Sequence, residues 1–424
     1  MLRDLVNLYQ FKKNIWKSLN ELEDIQNRKL KAIINHAYQN VPFYRNAFEK
    51  RNLHPDDIET VHDLVKLPII EKEDIQQRPL DFLAKNYEIN QCRKTHTSGS
   101  TGIPLVLYTD KIGESCNRTV NLRAMMENGV RLTHKIMEIT HPENFSQNTL
   151  FRWMGMYRKE CLSVYDAPEI NVKKFIEYCP DILMGYPSVL SLMADYIIQN
   201  NVKIKFPEKI FTSAEMLYDT TRKKIASTFG CDIIDIYGCT EFRRLAWECS
   251  KHEGYHTDID FSVVEIIKDT AVECEYGSLI ITGLHNYAMP LIRYRNGDTA
   301  RALKYTCSCG RGLPLIEKIL GRIDDMVTLP SGRVISPRSI NVLDCIVGIN
   351  QYRIIQEEKG LFIVQIEKND QFSEKTLHEI KEQIQKGCLN EHVMIQVEEV
   401  EKIQREKSGK IRTVISKVKQ KGAN

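Results

Sequence analysis

Through about residue 90, apolar positions recur at three- and four-residue spacing. Trp16, Leu19, Leu22 and Ile25 share one helical face, as do Leu30, Ile33, Ile34 and Ala37, so this stretch predicts helices. Val41-Pro42-Phe43-Tyr44 interrupts the pattern, because a proline pushes the residue before it out of the α region. Asp56-Asp57-Ile58 and Leu67-Pro68-Ile69-Ile70 read as connectors. The periodicity predicts core packing here and no chemistry.

From Arg93 to about Leu320 the pattern alternates. Strand-like runs are Val106-Leu107-Tyr108, Ile182 to Gly185, Lys209 to Thr212 and Ile233 to Tyr237. Helical stretches at Gly113 to Met126, Pro187 to Gln199 and Asp219 to Thr228 separate them. Strands alternating with helices predict an α/β fold. Val263 to Ile267 and Gly277 to Thr282 predict antiparallel strands of a smaller sheet. After Asp324 a strand at Phe362 to Ile366, a helix at Ser373 to Gln385 and a strand at Val393 to Val397 make a compact α+β unit. The division expected is a large domain over residues 1–323, with 1–90 as its helical lead-in, and a small domain over 324–424. The basic tail reads as a solvated end, and there is no internal repeat or low-complexity tract.

Composition narrows the class. The 424 residues are long enough for two to three folding units and a large core. With 59 basic against 56 acidic residues there is no basic excess to propose a nucleic-acid partner. No apolar run spans a bilayer, and the start lacks a signal-peptide core. The twelve cysteines are scattered, which suits free thiols in a reducing cytoplasm better than a disulfide scaffold. A cytoplasmic protein is expected.

Against that background, five short motifs stand in order. Thr97-Ser98-Gly99-Ser100-Thr101-Gly102-Ile103-Pro104 offers backbone N–H groups and hydroxyls to phosphate oxygens, and it is not a Walker A loop, since the Gly-Lys-Ser/Thr ending is missing. Tyr237-Gly238-Cys239-Thr240-Glu241 closes a strand with a carboxylate, a ligand type that Mg²⁺ accepts. Tyr294-Arg295-Asn296-Gly297-Asp298 puts on a turn a carboxylate able to accept two hydroxyls. Gly321-Arg322-Ile323-Asp324-Asp325 marks the change of character, and Ser408-Gly409-Lys410-Ile411-Arg412 carries a lysine near the end. Each alone is an ordinary turn. Together they supply a phosphate loop, a metal ligand, a ribose anchor, a hinge and a cation, the parts needed to adenylate a carboxylic acid with ATP.

Those motifs, in that order, resemble the acyl-adenylate-forming enzymes, and within them the phenylacetate–CoA ligase-like branch. Asn40-Val41-Pro42-Phe43-Tyr44 and Lys66-Leu67-Pro68-Ile69 also look like that branch, including members linked to capsular polysaccharide biosynthesis. The resemblance implies a large α/β AMP-binding domain and a small mobile C-terminal α+β domain, hinged at Asp324. It implies that Thr97 to Gly102 hold phosphate, although many members have lysine where Ile103 stands. It implies that Ser213-Ala214-Glu215 lies against adenine, that Tyr237 stacks on it beside Gly238, that Thr240 contacts the acyl phosphate and that Glu241 holds magnesium. Asp298 and Arg322 would bind the ribose, and Lys410 would serve the adenylation step. Tyr186-Pro187-Ser188 would border the acyl pocket, with Tyr237, Trp153 and Tyr157 nearby, though core packing explains such aromatics equally well.

The pair Cys307-Ser308-Cys309, with Cys249 and His256 upstream, matches the composition of a closed Cys₃His zinc site. His252 is the rival to His256, and a pair of reduced thiols in a glycine turn is the alternative. Some members of the branch carry zinc at matching positions. The function implied is an AMP-forming ligase that transfers the acyl group to coenzyme A. Transfer to a carrier protein or an amine, and an inactive zinc-stapled scaffold, remain as alternatives. The cofactors implied are ATP, Mg²⁺, coenzyme A and Zn²⁺. The partners are a small carboxylic acid and coenzyme A or a carrier protein, with a homodimer left open.

Overall fold

A computed structural model describes residues 2–96, 105–142, 158–268, 276–302, 307–322, 325–335, 337–341, 343, 346–406 and 409–418. The chain is mixed α/β and divides into two compact units. One is Met1–Gly129 with Ile236–Ile319, the other Val130–Asp235 with Leu320–Asn424. The chain passes from one to the other after Gly129, after Asp235 and after Ile319. No helix among the described residues is long and apolar enough to cross a membrane.

The first unit opens with helices Leu2–Asn14, Leu19–Asn40 and Pro42–Glu49. The second helix starts at a capping box, in which the Ser18 backbone N–H donates to the Glu21 carboxylate at 3.0 Å and Ser18 Oγ accepts the Glu21 N–H. The expected face that ran from Trp16 is therefore corrected. Trp16 falls in the connector before the cap and is 59% exposed, because Ser18 offers the N–H of Glu21 an acceptor outside any helix. Leu22, Leu30, Ile33, Ile34 and Ala37 do lie inward. They pack with Tyr44, Phe48, Phe82, Ile281 and Leu284 in one core, apart from Leu22. Pro42 does not merely break the helix; it begins the next one, at a first-turn position where its missing N–H costs nothing.

The strands Ser262–Ile267, Gly277–Gly283, Tyr294–Ala302, Leu315–Arg322, Tyr255–Thr257, Arg243–Glu248 and Ile233–Cys239 lie side by side in that order. The pairing of Ser262–Ile267 with Gly277–Gly283 is antiparallel, as expected. Beside them the helix Lys111–Glu127 carries a fully buried Arg123. Its guanidinium donates to Asp258 at 2.5 Å, to Asp260 at 2.8 Å and to the Phe11 carbonyl at 2.9 Å. Removing the guanidinium leaves Asp258 its ion pair with Arg244 and its bond from Trp247, and Asp260 its bond from Asn14, but takes from each buried carboxylate its shortest partner. Arg123→Leu should therefore cost about 3–5 kcal/mol, read as a lower denaturant midpoint. A loss under about 1 kcal/mol, the scale of an exposed pair, would show that the carboxylates find other partners.

In the second unit, Lys209–Ser213, Ile182–Gly185, Lys135–Thr140 and Arg158–Ser163 lie in that order and run parallel. Helices Pro168–Tyr178, Pro187–Gln199 and Asp219–Phe229 pack on them through Phe175, Leu190, Met193, Ile225 and Phe229. A separate four-stranded sheet follows, in the order Met394–Glu399, Leu361–Lys368, Ile349–Glu358, Val414–Ser416. Its middle pair is antiparallel and its outer pairs are parallel. The helix Glu374–Gly387 buries Ile380 and Ile384 against Ile354, Phe362, Val364 and Ile366 of this sheet.

Candidate active site

In the first unit, two of the five motifs come together. Tyr237, near the end of Ile233–Cys239, donates its hydroxyl to Asp298 Oδ2 at 2.6 Å. Asn296 Nδ2 donates to both, at 2.7 Å to the tyrosine oxygen and 3.0 Å to the carboxylate, and the Asp298 N–H returns to Asn296 Oδ1. Four residues further along the first motif, Glu241 Oε1 accepts the Tyr294 hydroxyl at 3.0 Å. Burial, and then the adjacent carboxylates of Asp298 and Glu241, push both phenols far above their ordinary range. Each tyrosine is thus a fixed neutral donor, and each carboxylate is oriented before any ligand arrives.

Local geometry explains why these residues meet. The pairing between Ile233–Cys239 and Arg243–Glu248 shifts register at Tyr237/Gly238, the kind of bulge that re-aims side chains at a strand end. A Cβ at Gly238 would stand 2.0 Å from the Arg243 carbonyl oxygen, so only glycine lets the two strands close there. Thr240 lies in the turn between them. Arg293, just before Tyr294-Arg295-Asn296-Gly297-Asp298, holds a left-handed φ of 55°. Its side chain is tied to Glu265 at 3.0 Å and to the Leu67 carbonyl at 2.7 Å, contacts that offset the strain.

The same unit holds a four-residue metal-type cluster. The ligand atoms of Cys249, His256, Cys307 and Cys309 lie within 4.8 Å of one another. Cys249 Sγ and Cys307 Sγ are 3.6 Å apart, and Cys309 Sγ and His256 Nε2 are 3.3 Å apart. With Zn–S near 2.3 Å and Zn–N near 2.0 Å, a tetrahedron has edges of roughly 3.5–3.8 Å, so the cluster fits such an ion. His256 Nδ1 faces the Leu313 carbonyl oxygen at 3.4 Å, which turns Nε2 toward the thiols. Burial lowers the imidazole to about 4 and raises the Cys249 and Cys307 thiols. The histidine is accordingly neutral, as a ligand must be, and those two buried thiols give up their protons only to a cation placed among them. His252 stands outside the cluster, 3.6 Å from Glu248. Arg311, two residues after Cys309, stacks over Trp16 and Trp247 and pairs with Glu127. It also hydrogen-bonds Cys309: burial is the largest single influence on that thiol and raises it, but the backbone and side-chain donors of Arg311, with the Cys307 contact, together bring it below its ordinary value.

In the second unit, Ser213 ends the strand Lys209–Ser213, Ala214-Glu215 follow it, and Ala214 adopts a left-handed φ of 72°. That rare conformation for a residue with a Cβ turns the chain sharply. The Glu215 carboxylate accepts the Ser188 N–H at 2.9 Å, the Ser188 hydroxyl at 3.0 Å and the Ile411 N–H at 2.8 Å. Lys410 is the neighbour of that last residue, in a turn where the Glu406 N–H donates to the Lys410 carbonyl at 2.9 Å. Tyr186 is buried in the core of this unit and hydrogen-bonds Thr140, and Pro187 opens the helix that carries Ser188. Arg322, at the end of Leu315–Arg322, is exposed.

Thr97 to Gly102, Trp153, Tyr157 and Asp324 lie outside the described residues. Sequence reasoning missed Arg405, which donates to the Gly409 carbonyl at 2.9 Å and to Ser188 Oγ at 3.4 Å. It also missed Asn296 as the bridge between Tyr237 and Asp298. Only the Asn-Gly-Asp turn, which places the two side chains two residues apart, could have signalled the latter.

Residues 327–417 match the family described as the CapK C-terminal domain. Phenylacetate-coenzyme A ligase of Aromatoleum evansii is 30% identical over 347 residues, 77% of this chain and 76% of that protein. Protein CapK of Staphylococcus aureus is 29% identical over 298 residues, 67% of this chain and 64% of that protein. Among solved structures, 2-hydroxyisobutyryl-CoA ligase in the postadenylation state with R3-HIB-AMP has a TM-score of 0.77 at 18% identity, covering 95% of this chain and 91% of that one. That likeness shows a shared fold.

Proposed function

Since the chain belongs to the phenylacetate–CoA ligase branch of the acyl-adenylate-forming enzymes, we propose that its motifs carry out ATP-dependent activation of a carboxylic acid and transfer of the acyl group to coenzyme A. A carboxylate oxygen attacks the α-phosphorus of ATP. The bond from that phosphorus to the bridging oxygen breaks, pyrophosphate leaves and acyl-AMP remains. The thiolate of coenzyme A then attacks the acyl carbon, the acyl–oxygen bond breaks and AMP leaves, the thiol proton having passed to solvent. Acyl-AMP is a mixed anhydride, so the second step runs downhill.

What supports this reading most is the hydrogen-bonded set of Tyr237, Asn296 and Asp298, which presents a preorganised carboxylate next to a rigid aromatic ring. In this role Asp298 accepts the ribose hydroxyls and Tyr237 offers its ring to adenine. Thr97 to Gly102 bind phosphate, Thr240 contacts the acyl phosphate, Gly238 belongs to the nucleotide site beside Tyr237, Arg322 adds a ribose contact, and Ser213 and Ala214 border the adenine. Glu241 is the residue to hold Mg²⁺. It is an oxygen ligand steadied by the neutral Tyr294 hydroxyl, and the ion supplies charge neutralisation for departing pyrophosphate. Lys410 neutralises charge at the α-phosphate. Cys249, His256, Cys307 and Cys309 hold Zn²⁺ in a closed structural site. Residues 324–424 act as the mobile domain hinged at Asp324, a reading supported by their match to the CapK C-terminal domain and by the core they build from Val327 to Val414.

A second reading keeps the adenylation step and changes the acceptor to a carrier-protein thiol or an amine on a saccharide. The resemblance of Asn40 to Tyr44 and of Lys66 to Ile69 to members linked to capsular polysaccharide biosynthesis motivates it. Acid-dependent ATP–pyrophosphate exchange over aryl, hydroxy, amino and short aliphatic acids, with no acceptor present, tests the shared first step. Exchange with one class is the expected result and names the substrate type; silence across the panel while ATP still binds would overturn adenylation. AMP release that depends on added coenzyme A separates the first reading from the second.

A further inference from the structure

The loop bearing Lys410 is held at the backbone atoms on either side of that residue. On one side the Ile411 N–H is gripped by Glu215 at 2.8 Å. The same carboxylate takes the backbone and hydroxyl donors of Ser188, at the start of helix Pro187–Gln199. On the other side, Arg405 donates to the Gly409 carbonyl at 2.9 Å and reaches Ser188 Oγ at 3.4 Å. Gly409 itself has a φ of +80°, and a Cβ there would stand 2.5 Å from Val164 Cγ2. The turn is thus pressed against the parallel-sheet part of its own unit at a place only glycine fits. Beyond it, Arg412 pairs with Asp325.

We propose that Glu215 is a positioning residue for Lys410: its carboxylate clasps the lysine loop to the helix start at Ser188 and so sets the place of the ammonium during adenylation. Resting on the adenylation reading above, this assigns Glu215 a task different from contact with adenine. A carboxylate that accepts two backbone N–H groups and a hydroxyl is a rigid three-point anchor. Its bond to Ile411 fixes the peptide from which the Lys410 side chain springs. Because Ser188 borders the candidate acyl pocket, the same anchor ties the pocket wall to the lysine loop.

Two arms test this on the full-length protein. The first needs no substrate: hydrogen–deuterium exchange at the Ile411 amide, and trypsin cleavage of the Lys410–Ile411 bond, compared between wild type and Glu215→Ala. Faster exchange and faster cleavage are expected in the variant, and unchanged rates would overturn the clasp. The second arm uses phenylacetate, or the acid that supports pyrophosphate exchange in the panel above, together with its synthetic acyl-AMP. Glu215→Ala should lower kcat for exchange roughly 10- to 100-fold, the scale of a small misplacement of a catalytic group. Thioester formation from supplied acyl-AMP should hold within about twofold, since the anchored ammonium serves the first half-reaction. Glu215→Gln, which keeps one acceptor oxygen, should recover part of the loss. A rise in KM for ATP with kcat intact would reassign Glu215 to nucleotide contact. Parallel loss of both half-reactions with a lower melting temperature would reduce it to a structural role. A wild type inert in every exchange assay would reject the adenylation reading, while the first arm still decides the clasp.

Discussion

Lys410→Ala should abolish acid-dependent pyrophosphate exchange yet leave thioester formation from supplied acyl-AMP intact. As the carboxylate attacks, negative charge builds on the α-phosphate and on the departing pyrophosphate. An ammonium held there is worth more in the transition state than in the ground state, which is the condition for raising a rate. Removing one preorganised donor of this kind costs roughly 10²–10³ in kcat. A lysine, a point charge on a flexible stem, needs its backbone fixed to deliver that effect, and the turn around Lys410 is fixed by the bonds to Glu215 and Arg405. Lys410→Arg should recover only part of the activity, because the planar guanidinium places its charge differently. Measuring the two half-reactions separately decides the matter. An equal fall in both would sink the assignment of Lys410 to the first step.

The second large effect concerns the metal cluster. Purified protein should carry about one zinc per chain, the count set by a single closed Cys₃His site. Cys307→Ser should lose that metal and destabilise the protein by more than about 4 kcal/mol, the range reached when a bound metal is lost. The reason lies in where the four ligands stand. Cys249 follows the strand Arg243–Glu248, His256 sits within Tyr255–Thr257, and Cys307 and Cys309 precede Leu315–Arg322. One ion would staple three neighbouring strands. Without it, two buried thiols and a buried imidazole face each other with little to bind. Elemental analysis and thermal unfolding with and without chelator read the effect. A metal-free protein of unchanged stability would return the cluster to a set of reduced thiols. His252→Ala should change neither metal content nor stability, since that ring lies outside the cluster.

Several elements were legible along the chain because local chemistry and long-range packing agree there. Pro187 at a helix start and the alternation before it predict Pro187–Gln199, and the structure has a helix with those ends. The strand Ile182–Gly185 is likewise as expected. Ile380 and Ile384, one turn apart, mark the buried face of Glu374–Gly387. Other elements were not legible. Lys135–Thr140 and Arg158–Ser163 are parallel strands whose charged and polar residues follow no two-residue alternation, and a mixed run of six residues carries too weak a period to identify. Ile349–Glu358 owes its strand state to pairing on both sides, with Leu361–Lys368 and Val414–Ser416. The helical face drawn through Trp16 failed for a local reason, the Ser18–Glu21 capping box, whose spacing was there to be read.

By itself the sequence determined the class of residues available for chemistry: a Ser/Thr/Gly loop, carboxylates at Glu241 and Asp298, a lysine at 410 and a Cys₃His donor set. It also determined the α/β alternation, since hydrophobic period and turn residues are local properties. Tertiary structure alone decided which of these groups meet. The Asn296 bridge between Tyr237 and Asp298 spans residues 59 and 2 positions apart, and the Glu215 contact to Ile411 spans 196. The Asn-Gly-Asp turn signals only the short half of the Asn296 bridge, and the Glu215 contact leaves no trace in local composition. The first goes with the register shift at Gly238, the second with a left-handed Ala214 and a glycine pressed against Val164. Such backbone conformations cost free energy on their own and persist only where the surrounding packing holds them. That packing is a property of the whole fold, which is why the choice between His252 and His256, and the task of Glu215, emerged only in three dimensions.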